Sequence, residues 1–166
     1  VSGGIAIYKA LDVISKLKKM NFEIDVIMTK HAQEFISPMT FQAMSGRMVA
    51  SDMFNQWQST SIEHIALAKK ADVFCIVPAT ANIIGKIANG IADDMLTTTV
   101  LATEAPILIA PAMNSKMYEN TIVQENMDKL KGLGMHFISP DDGRLACGDI
   151  GVGKLATPDD IVEAII

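Results

Sequence analysis

Two stretches of this chain, VFCIV at 73–77 and ILIA at 107–110, are apolar at every position. A strand with one face in water alternates apolar and polar residues, so an unbroken apolar run implies burial on both faces. Around these runs, apolar residues recur every three or four positions, the spacing of one helix face. Ile7, Leu11, Ile14 and Leu17 are the clearest case, and Lys16, Lys18 and Lys19 follow where a helix C-terminus favours cations. The same reading gives helices over 5–19, 32–45, 60–70, 81–89, 97–102, 121–133 and 158–166, and further strands over 23–29 and 135–138. Pro38 must kink or divide the second helix. Gly90 closes 81–89, and Thr157 with Pro158 starts the last helix. Segments 46–59 and 141–154 read as loops, the second rich in glycine. Strands alternating with helices predict an α/β fold with a parallel sheet covered on both faces, hence three layers. A Gly3-Gly4 pair opening straight into a helix follows a strand in such folds, so a first strand is expected upstream of Val1.

Length and composition narrow the class. A chain of 166 residues is one domain, 1–166, able to bury a full core without staples. Hydrophobic residues at 49% exclude disorder. Fourteen Lys+Arg against nineteen Asp+Glu leave a net charge of −5, with no basic cluster, which argues against nucleic-acid and membrane-surface partners. No apolar run reaches the 18 residues of a membrane span. Cys75 and Cys147, far apart and without histidines at ligand spacing, argue against disulfides and structural zinc, so no metal is expected. The expected setting is the cytoplasm.

In a parallel sheet, ligands bind beyond the carboxyl ends of the strands. Polar and small residues gather there: Ser2-Gly3-Gly4, Thr29-Lys30, Pro78-Ala79-Thr80-Ala81-Asn82, Pro111-Ala112-Met113-Asn114 and the 141–154 segment. Glycines before a helix let a phosphate approach free N–H donors, and Thr29 and Thr80 add hydroxyls; the alternative is a tight turn. Thr60-Ser61-Ile62-Glu63 fits a capping box, which puts His64 in a first helical turn. There the positive helix end disfavours an imidazolium, leaving His64 able to accept a proton; otherwise it is a surface histidine. His31 reads as a rim residue and His136 as a strand residue. The Asn114 amide suits a carboxylate or a flavin-like carbonyl edge, or simply a turn. Met113 and Met117 read as packing. Cys147 sits among glycines, where a thiol is unusual, and reads as part of a mobile flap or as incidental. Cys75, inside an apolar strand, reads as inert. Asp149 alone cannot hold calcium.

The segments SGGIAIYKA, IEHIALAKKAD, PATANIIGKIANGIADDMLTT, PAMNSKMY and ACGDIGVG, in this order over essentially the whole chain, resemble the phosphopantothenoylcysteine decarboxylases. These are flavin-containing cysteine decarboxylases of coenzyme A biosynthesis. The resemblance implies a flavodoxin-like or Rossmann-like fold, assembled as trimers or multiples of trimers with FMN between subunits. It implies FMN phosphate contacts at Gly3, Gly4 and Ile5, and further contacts from Thr29 and Lys30. Pro78, Ala79, Thr80, Ala81 and Asn82 would line the ring and ribityl region, with Asp94, Leu96 and Thr97 close by. His64 matches the family's base, Asn114 the residue that holds the substrate carboxylate, and Cys147 the late proton donor. Ala112 and Met113, with Gly148 and Asp149, would shape the substrate site. The implied reaction oxidises the substrate's cysteine moiety, releases carbon dioxide and returns the two electrons, so no nicotinamide is needed. Tyr118 stands where some members carry Trp. Many bacterial members carry a second domain, a phosphopantothenate–cysteine ligase. Related peptidyl-cysteine decarboxylases stop at the enethiol and need no returning proton donor, so Cys147 argues against them. Non-catalytic FMN-binding regulatory relatives are the other alternative.

Overall fold

A computed structural model describes residues 1–53 and 63–166. The first helix begins as a 3-10 turn, Ile5–Ile7, that runs directly into α1, Tyr8–Lys19. Strand β1 is only Val26–Ile27, shorter than the expected 23–29, and pairs in parallel with β2, Val49–Ala50. A two-residue strand is too short to leave a period, and β2 falls where a loop is expected from sequence. Pro38 does divide its helix: α2 is Lys30–Gln33, and Pro38 takes the first position of α3, Pro38–Ser45, behind a Ser37 cap. Helix α4, Glu63–Lys70, follows, and the expected cap Thr60 lies outside the described residues.

The central sheet is β3, Phe74–Ala79, β4, Ile107–Pro111, and β5, His136–Phe137, all parallel, in the order β3-β4-β5. Helices α5, Ala81–Ala88, and α6, Met95–Ala102, connect β3 to β4. A short α7, Ser115–Tyr118, and α8, Thr121–Gly132, connect β4 to β5. Segment 141–154 is an antiparallel hairpin of β6, Asp141–Arg144, and β7, Ile150–Lys154, rather than a loop. Helix α9, Pro158–Ile165, closes the fold with Thr157 and Asp160 in a capping box.

Alternation along the strands sorts side chains into two cores. Val26, Val77 and Ala110 pack with α1, α3 and α9, whereas Ile27, Ile76 and Ile109 pack with α5, α6 and α8. Neighbouring strand residues point to opposite faces, so continuous apolar runs produce three layers. The fold is the predicted α/β architecture in one domain. Between β1 and β3 runs an apolar groove floored by Ala10, Val13, Ile14 and Leu17. At its end Val1 already pairs as in a parallel ladder: its amino group donates to the Ile27 carbonyl, and Thr29 N–H donates to the Val1 carbonyl.

Candidate active site

Helix N-termini converge at the carboxyl ends of the strands. Thr29 caps α2, its Oγ1 accepting from Ala32 N–H at 3.2 Å. Thr80 caps α5 by accepting from Ile83 N–H at 3.3 Å. Asp94 caps α6 in a reciprocal box, its Oδ1 accepting from both the N–H and the Oγ1 of Thr97 at 2.8 Å. Asn114 caps α7, its Oδ1 accepting from Lys116 N–H at 2.9 Å. Thr29, Thr80, Asp94 and Asn114 all border one cavity of about 1100 Å³. Each cap satisfies one donor and leaves other N–H groups of the first turn free, so the cavity carries a positive backbone potential.

The Gly3-Gly4 turn forms one end of this cavity. The N–H groups of Gly3, Gly4 and Ile5 have no partner among the described residues. A Cβ on Gly3 would lie 2.7 Å from His31 Cβ, so glycine is required there for the turn to pack against α2. Ser2, fully buried, ties the turn to β3: its Oγ donates to the Pro78 carbonyl at 2.8 Å and accepts from Thr80 N–H at 3.2 Å.

At the other end, Asn114 meets the hairpin tip. Its Nδ2 donates to Cys147 Sγ at 3.3 Å and to Asp149 Oδ2 at 3.0 Å, and Cys147 Sγ donates to Asp149 Oδ2 at 3.4 Å. The contact is built by glycine. Met113 N–H donates to the Gly153 carbonyl at 2.9 Å, and a Cβ on Gly153, at φ +128°, would sit 2.4 Å from the Met113 carbonyl oxygen. The glycines expected to loosen a flap instead bring β7 flush against the loop after β4.

Of the residues singled out from sequence, Gly3, Gly4, Ile5, Thr29, Lys30, Thr80, Ala81, Asn82, Asp94, Ala112, Met113, Asn114 and Cys147 border the cavity. Pro78 and Ala79 lie buried behind it, and Thr97 is buried under Asp94. Gly148 and Asp149 sit at the exposed hairpin tip, with Asp149 reaching Asn114. His64 is half-buried on α4, outside the cavity lining of its own chain. Sequence reasoning passed over Lys9, Arg144 and Lys154, which also border the cavity. Lys9 reads as part of a helix, and the two hairpin cations become visible only once the strands are paired.

The flavoprotein family profile matches residues 1–166. The coenzyme A biosynthesis bifunctional protein CoaBC of Bacillus subtilis (strain 168) is 52% identical over 163 residues, 98% of this chain but 40% of that protein. The chain thus spans about two-fifths of the CoaBC relatives it matches. A probable phosphopantothenoylcysteine decarboxylase of Streptococcus mutans is 46% identical, covering 99% of this chain and 93% of the relative. Among solved structures, a cysteine-to-serine mutant of PPC decarboxylase complexed with pantothenoylaminoethenethiol superposes with a TM-score of 0.87 at 31% identity, over 99% of this chain and 92% of that one. The FMN-dependent cysteine decarboxylase SpaF gives 0.83 at 32% identity, over 99% and 94%. With matches that run the length of the chain, this protein belongs to the flavoprotein family, in its phosphopantothenoylcysteine decarboxylase group.

Proposed function

We propose that this chain decarboxylates 4′-phospho-N-pantothenoylcysteine to 4′-phosphopantetheine with FMN, as a step of coenzyme A biosynthesis. The observation that carries the reading is the Asn114–Cys147–Asp149 cluster at the mouth of a cavity rimmed by helix N-termini. Relatives bearing the names of this enzyme and of the coenzyme A bifunctional protein support it.

The residues present fit FMN. The cavity, at about 1100 Å³, lies slightly above the roughly 300–1000 Å³ usual for small-molecule sites, which leaves room for cofactor and substrate together. The free N–H groups of Gly3, Gly4 and Ile5, with Thr29 and Lys30, suit the phosphate. Thr80, Ala81 and Asn82 would hold the ribityl and ring region. Asp94, braced by Thr97, would contribute there too, and Pro78 and Ala79 act from behind by fixing Ser2 and the strand end. When bound, FMN supplies a reversible two-electron acceptor.

This chain's own groups do the rest. The Asn114 amide has donors to offer a substrate carboxylate, which would take the place Asp149 occupies on Nδ2. Ala112, Met113 and Gly148 would shape the pocket around the cysteine moiety. Cys147 Sγ stands at the same spot and would deliver a proton to the substrate carbon after carbon dioxide has left. His64 would act as the base, and because it stands outside its own chain's cavity, a second copy would bring it there. This reading calls for a homo-oligomer, and the family resemblance implies a trimer or a multiple of trimers. Exposed apolar side chains such as Met39 and Met48, each about three-quarters exposed, give an interface material to bury. The CoaBC relatives are named bifunctional, which fits a fused or partner phosphopantothenate–cysteine ligase. Among the described residues no helix is long and apolar enough to cross a membrane, and a cytoplasmic setting fits this chemistry.

The test is direct. FMN-loaded protein is mixed with phosphopantothenoylcysteine, and carbon dioxide and 4′-phosphopantetheine are measured. Release of both supports the reading. Release of carbon dioxide with an enethiol as the final product supports the peptidyl-cysteine type, and neither product overturns both.

A further inference from the structure

The cavity carries a second set of cations that the reading above leaves unused. Lys9, on the first turn of α1, and Arg144 and Lys154, from the two hairpin strands, all border it. Lys9 Nζ donates to the Leu155 carbonyl at 2.9 Å, which pins its ammonium against the base of the hairpin. Lys154 lies across Gly143, where a Cβ would meet its Cδ and Nζ at 3.9 Å. None of the three forms an ion pair among the described residues. Asp141, opposite Lys154 in the ladder, is the carboxylate that acts on Lys9, and Asp142 stands two residues before Arg144 on β6, so two carboxylates face three cations. Lys86, another cation at the rim, differs in kind: it is neutralised by Asp93 at 2.8 Å. Burial and then repulsion from Lys154 hold the Lys9 ammonium below its ordinary lysine range, which indicates that the charges are crowded and not compensated. Unpaired cations facing a largely apolar cavity are poised for an anion from outside.

We propose that Lys9, Arg144 and Lys154 form an anion subsite that takes a phosphate monoester, the phosphorylated end of the substrate. The inference rests on the function proposed above and assigns that substrate's direction in the cavity. Arg144 to Cys147 is a continuous stretch of wall, with the Cα atoms of those two residues at most roughly 10 Å apart and the Arg144 side chain and the two lysines reaching further. An elongated substrate with its cysteine end at Asn114 and Cys147 thus points its phosphate towards α1. The cofactor's own phosphate has its cradle at the Gly3-Gly4 turn and does not need these cations. Arg144 offers a planar fork and Lys154 a point charge, a pairing suited to a dianionic group.

The experiment compares 4′-phosphopantetheine with pantetheine, binding each to FMN-loaded protein by calorimetry. The wild type is expected to prefer the phosphorylated form by about tenfold or more, as charge-assisted contacts to a phosphate allow. Arg144→Gln and Lys154→Gln, both at exposed positions, each reduce that preference several-fold, and Lys18→Gln on the outer side of α1 does not. A wild type without preference, or variants that keep it in full, overturns the subsite. A parallel titration of apo protein with FMN and riboflavin separates the two phosphate sources: variants that weaken FMN alone reassign the cations to the cofactor and overturn the proposal. Discrimination between the two pantetheines without decarboxylation of phosphopantothenoylcysteine leaves the subsite standing and removes the catalytic reading.

Discussion

Cys75 and Cys147 are the same side chain in opposite surroundings. Cys75 lies within β3, half-buried on the wall of the groove, and desolvation there pushes its thiol up to about 12. Cys147 is exposed at the hairpin tip. Thiolate is the reactive form, so burial silences Cys75 at neutral pH. Titration of native protein with an aromatic disulfide reagent should give one fast thiol, and Cys147→Ser should give none; two fast thiols in the wild type contradict the assignment. The same variant probes the chemistry. Cys147→Ser is expected to release carbon dioxide at up to one equivalent per site without forming 4′-phosphopantetheine, and full turnover would show that the proton comes from elsewhere. Both residues stood out singly as candidates, an amide closing a short loop and a thiol among glycines, and the roles proposed for them came from the family resemblance. Their partnership was not legible in the sequence. Asn114 and Cys147 are 33 positions apart and meet because Gly153 admits the Met113 carbonyl, a fact of packing that no local pattern carries.

The elements divide along the same line. Long amphipathic helices and fully apolar strands announced themselves, because a repeated spacing over ten residues leaves little choice of conformation. The hairpin did not, because its glycines depress strand propensity and look like slack. Gly153→Ala tests which reading is physical. Its Cβ would overlap the Met113 carbonyl at a backbone angle that favours glycine, costing about 3 kcal/mol. For a chain of this size that lowers Tm on the order of 10 °C. A loose flap would absorb the methyl with no change in melting. The groove between β1 and β3 is the other element-scale feature. Among the described residues β1 is a strand partner only of β2 and β3 only of β4, so beyond the Val1 contact each presents an unpaired edge to the groove. A short Val/Ile run joined ahead of Val1 is expected to fill it as a parallel strand and raise Tm on the order of 5 °C or more. An unchanged Tm would mean the groove does not take a strand.

At the scale of the whole molecule, the three-layer architecture followed from the strands alone, since only a parallel sheet buries both faces. What the sequence left open is which surfaces of separate copies face each other, because apolar residues at an interface have the same composition as a core. His64 is where this matters. It lies outside the cavity that holds Asn114 and Cys147, and the proposed function brings it there from a second chain. A sharing test follows from this. His64→Asn and Cys147→Ser chains, inactive alone, are co-expressed with different affinity tags, and doubly tagged oligomers are purified. If each site draws His64 from one chain and Cys147 from the next around a trimer, every mixed trimer holds one intact site in three, and activity returns to about a third of wild type. If both residues act within one chain, every site carries a lesion and the mixture stays inactive. Complementation that survives dilution to the lowest assayable concentration marks a stable oligomer, and complementation lost in parallel with dissociation ties catalysis to the contact between copies.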